Sequence, residues 1–299
     1  MKNIELPIYS ISEFMVLNND ADFYANMLYP HVKNHHFTNL PHKHDFFLTI
    51  LFTNGSGKHE VDFKTYTVER GAIFVLKPGQ MHFWELSADV DGYVFFHSRI
   101  FFESGFHALS IKDFHFFNSF QSSPIYKLTD IRLSKIELFM HELVEEYRKS
   151  EILKSAKIQC LISLVYTEIA RENGKFENIS NKTYLAKLKL FEDLIESNFK
   201  ELKLVKQYAT KLNISEKHLN RITKSCIGKT STQLIAERNI LEAKRMLIYS
   251  NLNVSQIGEA LGYFDSSYFV RFFKKNTGIT PLVFIRKCTF SNYGIKKQV

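Results

Sequence analysis

The sequence is poor in cysteine. Cys160, Cys226 and Cys288 are few, odd in number and far apart in a chain of 299 residues, so a disulfide framework is not expected and a reducing cytoplasm fits. Neither a CxxC pair nor a Cys/His zinc spacing occurs. No apolar run approaches the roughly 20 residues of a membrane helix. The N-terminal stretch from Met1 to Leu17 carries charges and Pro7 without a long apolar core, so no signal peptide is expected. Glycine is missing from Phe106 to Asn173. Histidine is nearly missing from the second half: eleven of 12 precede residue 142, and only His218 follows. What remains is a globular composition, 45% hydrophobic and 23% charged, with length enough for about two domains.

Acidic residues are in short supply only toward the C-terminus. Leu185 to Val299 holds 20 Lys+Arg against 9 Asp+Glu, a balance of +11, whereas Met1 to Tyr184 holds 19 against 22, or −3. The basic excess of the chain therefore sits in one module, which suits a polyanion.

In the first half, Gly55, Gly57, Gly71, Gly79 and Gly92 punctuate short runs rich in β-formers: Phe46–Thr53, His59–Phe63, Thr65–Glu69, Ala72–Lys77, Met81–Leu86 and Tyr93–Ser98. Such spacing predicts an antiparallel sandwich or barrel. His59–Phe63 alternates as a half-buried strand does. Ile136, Phe139, Met140, Leu143 and Tyr147, then Ile158, Leu161, Ile162, Val165 and Ile169, fall at helical spacing. These two helices are expected to cover the barrel or to pair with a second subunit. A polar stretch at 175–184 reads as a linker between a domain at 1–174 and a helical one at 185–299.

The basic half repeats itself. Ala209-x-x-Leu212 with Ser215, Leu219, Arg221, Lys224 and Gly228 returns as Gly258-x-x-Leu261 with Asp265, Phe269, Arg271, Lys274 and Gly278. The offset is 49 before the turn and 50 after it, so the second turn carries one extra residue. Each set fits helix, turn, helix, with a small residue where the helices touch and an N-cap at Ser215 or Asp265. Thr232 to Ser250 reads as one helix holding the two units apart. Two second helices on one rigid connector can enter successive major-groove turns, about 34 Å apart.

The run Gly262-Tyr263-x-Asp265-x-Ser267-Tyr268-Phe269-x-Arg271-x-Phe273-Lys274-Lys275-x-x-Gly278-x-Thr280-Pro281 closely resembles the signature of AraC/XylS-type transcriptional regulators. Ile257 and Ala243-x-x-Met246-Leu247 match as well. The resemblance implies an all-α DNA-binding domain with two helix-turn-helix units over roughly Leu185 to Lys287. By position it assigns Lys217, Asn220 and Arg221 to the base-facing side of the first unit. There Arg221 suits guanine O6/N7 and Asn220 adenine N6/N7. Ser266, Ser267, Val270 and Arg271 correspond in the second unit. Val270 offers only a methyl contact, and Arg271 serves either a base or an ion pair within the fold. Lys224, Lys274 and Lys275 are expected beside phosphates. Leu219, Phe269, Phe272 and Phe273 are expected in the core. Gly258 departs from the family, where alanine is more typical, at a cost of up to about 1 kcal/mol of helix stability.

Pro41-His42-Lys43-His44-Asp45-Phe46 and, about 30 residues on, Gly71 to His82 resemble the two cupin motifs in the form found in sensor domains of such regulators. Enzymatic cupins hold a metal with HxH, a following glutamate and a later histidine. Here His42, His44 and His82 are present, but Leu48 and Thr49 stand where the glutamate belongs. The expectation is therefore no metal and no cofactor, with the histidines hydrogen-bonded locally at a pocket mouth. Phe46, Tyr66, Trp84 and Phe95, with His42, His44 and His82, are the candidate ligand contacts, and Phe74 is core or lining. Residues 95–120 contain nine phenylalanines, enough for an apolar lid.

The fold expected is α+β and multidomain: an N-terminal antiparallel cupin or jelly-roll barrel with flanking helices, then the all-α domain. The function implied is a bacterial, non-enzymatic transcriptional regulator, dimeric and cytoplasmic, nucleoid-associated when bound. Its partners would be double-stranded promoter DNA, RNA polymerase and a small-molecule effector, with no membrane. Two alternatives stand beside it. A metal-dependent cupin enzyme would show bound iron or manganese and turnover. A ligand-independent DNA binder would show a barrel filled by its own side chains.

Overall fold

A computed structural model describes residues 6–14, 22–35, 40–105, 109–118, 122–172 and 182–290. The chain divides into two compact units, 7–178 and 179–299. Most of the expected linker, 175–181, lies outside the described residues, and the next helix begins at Lys182, ahead of the expected boundary at 185.

The first unit runs β1 (Ile8–Tyr9), β2 (Phe23–Met27), α1 (Leu28–Asn34), β3 (Lys43–His44), β4 (Phe47–Asn54), β5 (Gly57–Val61), β6 (Lys64–Val68), β7 (Ala72–Leu76), β8 (His82–Leu86) and β9 (Asp91–His97). It continues with α2 (Arg99–Glu103), α3 (His115–Asn118), β10 (Ile125–Lys127), α4 (Asp130–Arg148) and α5 (Lys154–Glu172). An antiparallel sheet in the order β10-β7-β4-β9-β2 faces a second one, β6-β5-β8, while β1 and β3 pair in parallel. Among the described residues no ladder joins the two larger sheets, so the expected barrel is an open sandwich. Leu48 pairs with Leu76 and with Phe96, and these inward rows are buried. At His59 of β5 and Phe74 of β7 the ring centroids across the sandwich are 4.4 Å apart.

The expected strand His59–Phe63 stops at Val61. Asp62 and Phe63 take φ values of 48° and 68° and close the tight hairpin to β6, as a primed turn requires. His59 and Val61 therefore point inward. Helices α4 and α5 pack on each other, and α4 lies on β2 and β9. Their buried rows include Ile136, Met140, Leu143, Ile162, Val165 and Ile169, so they cover the outer face of the larger sheet. Beneath them runs a hydrogen-bonded chain. Thr49 Oγ1 donates to Tyr166 Oη (3.3 Å), Tyr166 meets His97 Nε2 (2.7 Å), and His97 Nδ1 donates to the Ser98 carbonyl (2.9 Å).

The second unit is helical: α6 (Lys182–Asn198), α7 (Val205–Lys211), α8 (Glu216–Ile227), α9 (Ser231–Tyr249), α10 (Val254–Ala260), α11 (Ser266–Thr277) and α12 (Pro281–Phe290). Both helix-turn-helix units form, α7–α8 and α10–α11, and α9, about 28 Å long at 1.5 Å per residue, joins them. Arg238 ties α9 to α6 through Glu196 (2.8 Å) and lies 3.8 Å over the Phe199 ring. The two turns are built alike. Ile214 N donates to Ala209 O (3.0 Å), and Tyr263 N to Gly258 O (2.9 Å). Asn213 and Gly262 take left-handed φ values of 52° and 80°. Only glycine fits at 262, since a Cβ would lie 1.9 Å from the Lys200 carbonyl oxygen. The extra residue of the second turn is Phe264, extruded into solvent at 108% exposure. The departure at Gly258 also has a reason: a Cβ there would meet Phe269 at 3.2 Å.

Candidate nucleic-acid interface and sensor domain

The exposed faces of α8 and α11 carry the basic residues. Ser215 caps α8 by accepting from His218 N (3.2 Å), and Asp265 caps α11 by accepting from Ser267 N (2.8 Å). Gly228 and Gly278 end the two helices in left-handed conformation. Leu219, Ile222, Phe269 and Phe273 anchor the inner faces, and Phe272 is half-buried against Tyr263 rather than fully in the core. Lys217, Arg221, Lys224, Ser266, Ser267, Arg271, Lys274 and Lys275 are exposed.

Lys217, Asn220, Arg221 and Lys224 line one open concavity of about 800 Å³ with Ser225, Thr230 and Thr232. Ser225 and the two threonines escaped sequence reasoning; the signal for the threonines is the N-terminal turn of α9, which faces α8. Asn220 is partly committed elsewhere. Its Oδ1 accepts from Ser231 N at 2.9 Å, bracing the first turn of α9, and leaves the oxygen's second lone pair and the amide N–H groups for a base edge. Arg221 lies 6.0 Å over the Tyr184 ring. Arg271 is 3.7 Å from Asp265, both exposed; such a pair is worth about 0–1 kcal/mol and yields easily to a nucleic-acid contact. Val270 is half-buried.

In the first unit, His42, His44 and His82 come together. His42 and His82 exchange backbone hydrogen bonds of 3.1 and 3.0 Å. The Nε2 atoms of His44 and His82 lie 2.5 Å apart. His42 Nδ1 donates to the Leu40 carbonyl (2.7 Å), and His59 Nε2 meets His82 Nδ1 (2.8 Å). Burial pushes these imidazoles down, His42 to about 4 and His59 to about 3, so all are neutral. Sequence reasoning passed over His59, whose only signal was an inward position on an alternating strand. Phe46 stacks on His44 at 4.5 Å, Trp84 sits 5.5 Å from His82, and Tyr66 packs edge-on to Phe74. Phe95 does not join them. It points to the other side of the sheet, toward Tyr166, because β9 alternates and Phe96 takes the inward position beside Phe46.

The sandwich interior is filled by these side chains. A cavity of about 440 Å³ opens instead beside α1 and β8, lined by Tyr29, Val32, Lys33, Trp84, Leu86 and Val90 among others. Of the expected ligand contacts, Trp84 alone lines it.

Residues 27–162 match the family described as AraC-like ligand binding domain, and residues 208–287 match a helix-turn-helix domain family. The chain is an AraC-type transcriptional regulator. It is similar to the uncharacterized HTH-type transcriptional regulator YfiF of Bacillus subtilis (24% identity over 89% of this chain and 84% of that one). It is also similar to the HTH-type transcriptional activator RhaR of Salmonella dublin (22% identity, over 80% and 84%). A structure of unsaturated fatty acid bound ToxT from Vibrio cholerae aligns over 95% of this chain and 100% of that one at 16% identity, with a TM-score of 0.44. The regulator thus pairs a DNA-binding domain with a ligand-binding one and belongs to a group of transcription factors rather than enzymes. Among its described residues no helix is long and apolar enough to cross a membrane.

Proposed function

We propose that this regulator is a homodimer that reads a bipartite promoter site and contacts RNA polymerase there, under control of a small molecule. Residues 1–174 sense and dimerise, 175–184 link, and 185–299 bind DNA, in the cytoplasm and on the nucleoid. Lys217 and Arg221 read bases from α8, and Ser266, Ser267, Val270 and Arg271 read from α11. Lys224, Lys274 and Lys275 hold phosphates, and Asn220 reads a base while bracing α9.

The observation that carries this reading is the concave basic surface around Arg221, built at the exposed face of a capped helix whose other face is core. The effector takes the cavity beside α1 and β8, with Trp84 as its inner wall and Phe46, Tyr66 and the histidines behind it, while Phe95 backs the other face of the sheet. Binding shifts the arrangement of the DNA-binding domains by as much as the effector's affinity differs between the two arrangements. Exposed Ile131 and Leu138, seven apart on α4, and Leu164 on α5 offer an apolar stripe for the second subunit.

Selection from random duplexes with the full-length protein tests the core of this. Two half-motifs one helical turn apart, about 10 base pairs, are expected. Absence of any enriched sequence overturns it. A second reading has one observation in its favour: the sandwich interior is filled, with Phe46, Phe74, Trp84 and Phe96 at most 2% exposed. A native mass spectrum with no organic adduct, together with DNA affinity indifferent to candidate effectors, would favour ligand-independent binding.

A further inference from the structure

We propose that His42, His44 and His82 form a binding site for one divalent first-row transition-metal ion, with His59 as a positioning residue behind His82. This site is separate from the effector cavity and does not depend on the effector reading.

The backbone comes first. The reciprocal hydrogen bonds between His42 and His82 fix the two Cα positions against each other, and His44 follows two residues after His42, on the same side of the chain. One ring nitrogen from each of the three residues lies within 4.8 Å of the others. Two of the three rings are also held from behind. The Leu40 carbonyl takes the Nδ1 proton of His42, which leaves Nε2 of that neutral ring with a bare lone pair. His59 Nε2, at 2.8 Å, accepts from His82 Nδ1 when His82 Nε2 is the ligand. A partner on the far nitrogen is how metal-bound histidines are held.

The Nε2 atoms of His44 and His82 already face each other, 2.5 Å apart. At metal–nitrogen distances of about 2.0–2.1 Å, two ligand nitrogens stand about 2.9–3.4 Å apart. To bind an ion the pair must part by roughly 0.4–0.9 Å. As core alone the cluster is a poor arrangement. His44 Nδ1 and His59 Nδ1 are buried with no hydrogen-bond partner, and each such atom costs about 1–3 kcal/mol. Apolar side chains of similar volume would pack at less cost, so a polar occupant accounts for the imidazoles better than packing does.

Neutral imidazoles select metals of intermediate softness, Zn²⁺, Ni²⁺, Co²⁺, Fe²⁺ or Cu²⁺, over Mg²⁺ and Ca²⁺. The ring of Phe46 against His44, Trp84 against His82 and Tyr9 against His42 make a dry wall around them. Solvent is two residues away at Leu40, which is 67% exposed. The cluster contains no carboxylate, so the ion keeps its charge and its open positions favour an anion or hydroxide.

The test uses the full-length protein, stripped with chelator and desalted. Co²⁺ titration should give visible d–d bands that saturate at one ion per chain, and Zn²⁺ should raise the melting temperature. His44→Gln and His82→Gln should abolish the bands. His59→Gln should keep the stoichiometry and weaken affinity about 10–100-fold. Should a ligand variant fail to fold, the wild-type melting shift decides. No Zn²⁺ shift, no saturable Co²⁺ spectrum, or a spectrum unchanged in His44→Gln (an ion held elsewhere) overturns the site.

Discussion

Replacing Arg221 by alanine separates base reading from charge attraction. The guanidinium is exposed and lies 6.0 Å over the Tyr184 ring, a contact worth about 0.5–1 kcal/mol at such a site. A bidentate pair with guanine contributes about 1–3 kcal/mol of discrimination. Giving up the ring contact on binding leaves a net of about 1–2 kcal/mol, or roughly 5- to 30-fold in affinity. Stability should barely move, since arginine and alanine are both good helix formers and the side chain is outside the core; a change within about 0.5 kcal/mol is expected. Fluorescence anisotropy on the selected site, and on a set with each base pair changed in turn, gives the decisive cycle. At one base pair, wild type and Arg221→Ala should bind the altered site equally well. Equal loss on every duplex, with a shallower salt dependence, would refute base reading and make Arg221 a phosphate contact.

Asn220→Ala should lower stability by about 1 kcal/mol in urea unfolding, because Ser231 N loses its acceptor, and should weaken no single base pair by the margin of Arg221→Ala. Lys274→Ala should weaken binding evenly across sequences and reduce the slope of log K against log salt by about 1; loss at one base position would contradict it. Gly262→Ala should destabilise the helical unit by at least about 2 kcal/mol, since left-handed φ and the Lys200 carbonyl both oppose a Cβ; a neutral effect in thermal melts would show that the turn relaxes. Burial pulls His97 down to about 4, so below its ordinary 6.5 the unfolded chain takes up a proton that the native one refuses. Stability is lost as pH falls from 6.5 toward 4, and His97→Gln should flatten that slope in urea titrations between pH 7 and 4.5.

Periodicity was enough to locate the strands from Phe47 to His97 and the two long helices, because each buries one face and so writes its period into the sequence. The internal repeat located both helix-turn-helix units down to their caps, since capping and turn chemistry are local. Strands β1, β2, β3 and β10 carried no such mark. They are short or irregular in pattern and form where a neighbouring strand offers backbone partners, as β7 does for β10. The hairpin at Asp62-Phe63 was misread because a left-handed phenylalanine has no turn signature.

By itself, then, the sequence determined what is local and periodic: two modules of opposite charge, paired DNA-reading helices, and histidines two apart on one strand. Tertiary structure decided everything that depends on which residues distant in sequence come to share a space. It filled the sandwich and left a cavity at the edge beside α1. It turned Phe95 away from Phe46 and committed Asn220 to Ser231. It also set His59 behind His82, a placement that strand pairing between β5 and β8 makes and that spacing along the chain cannot encode.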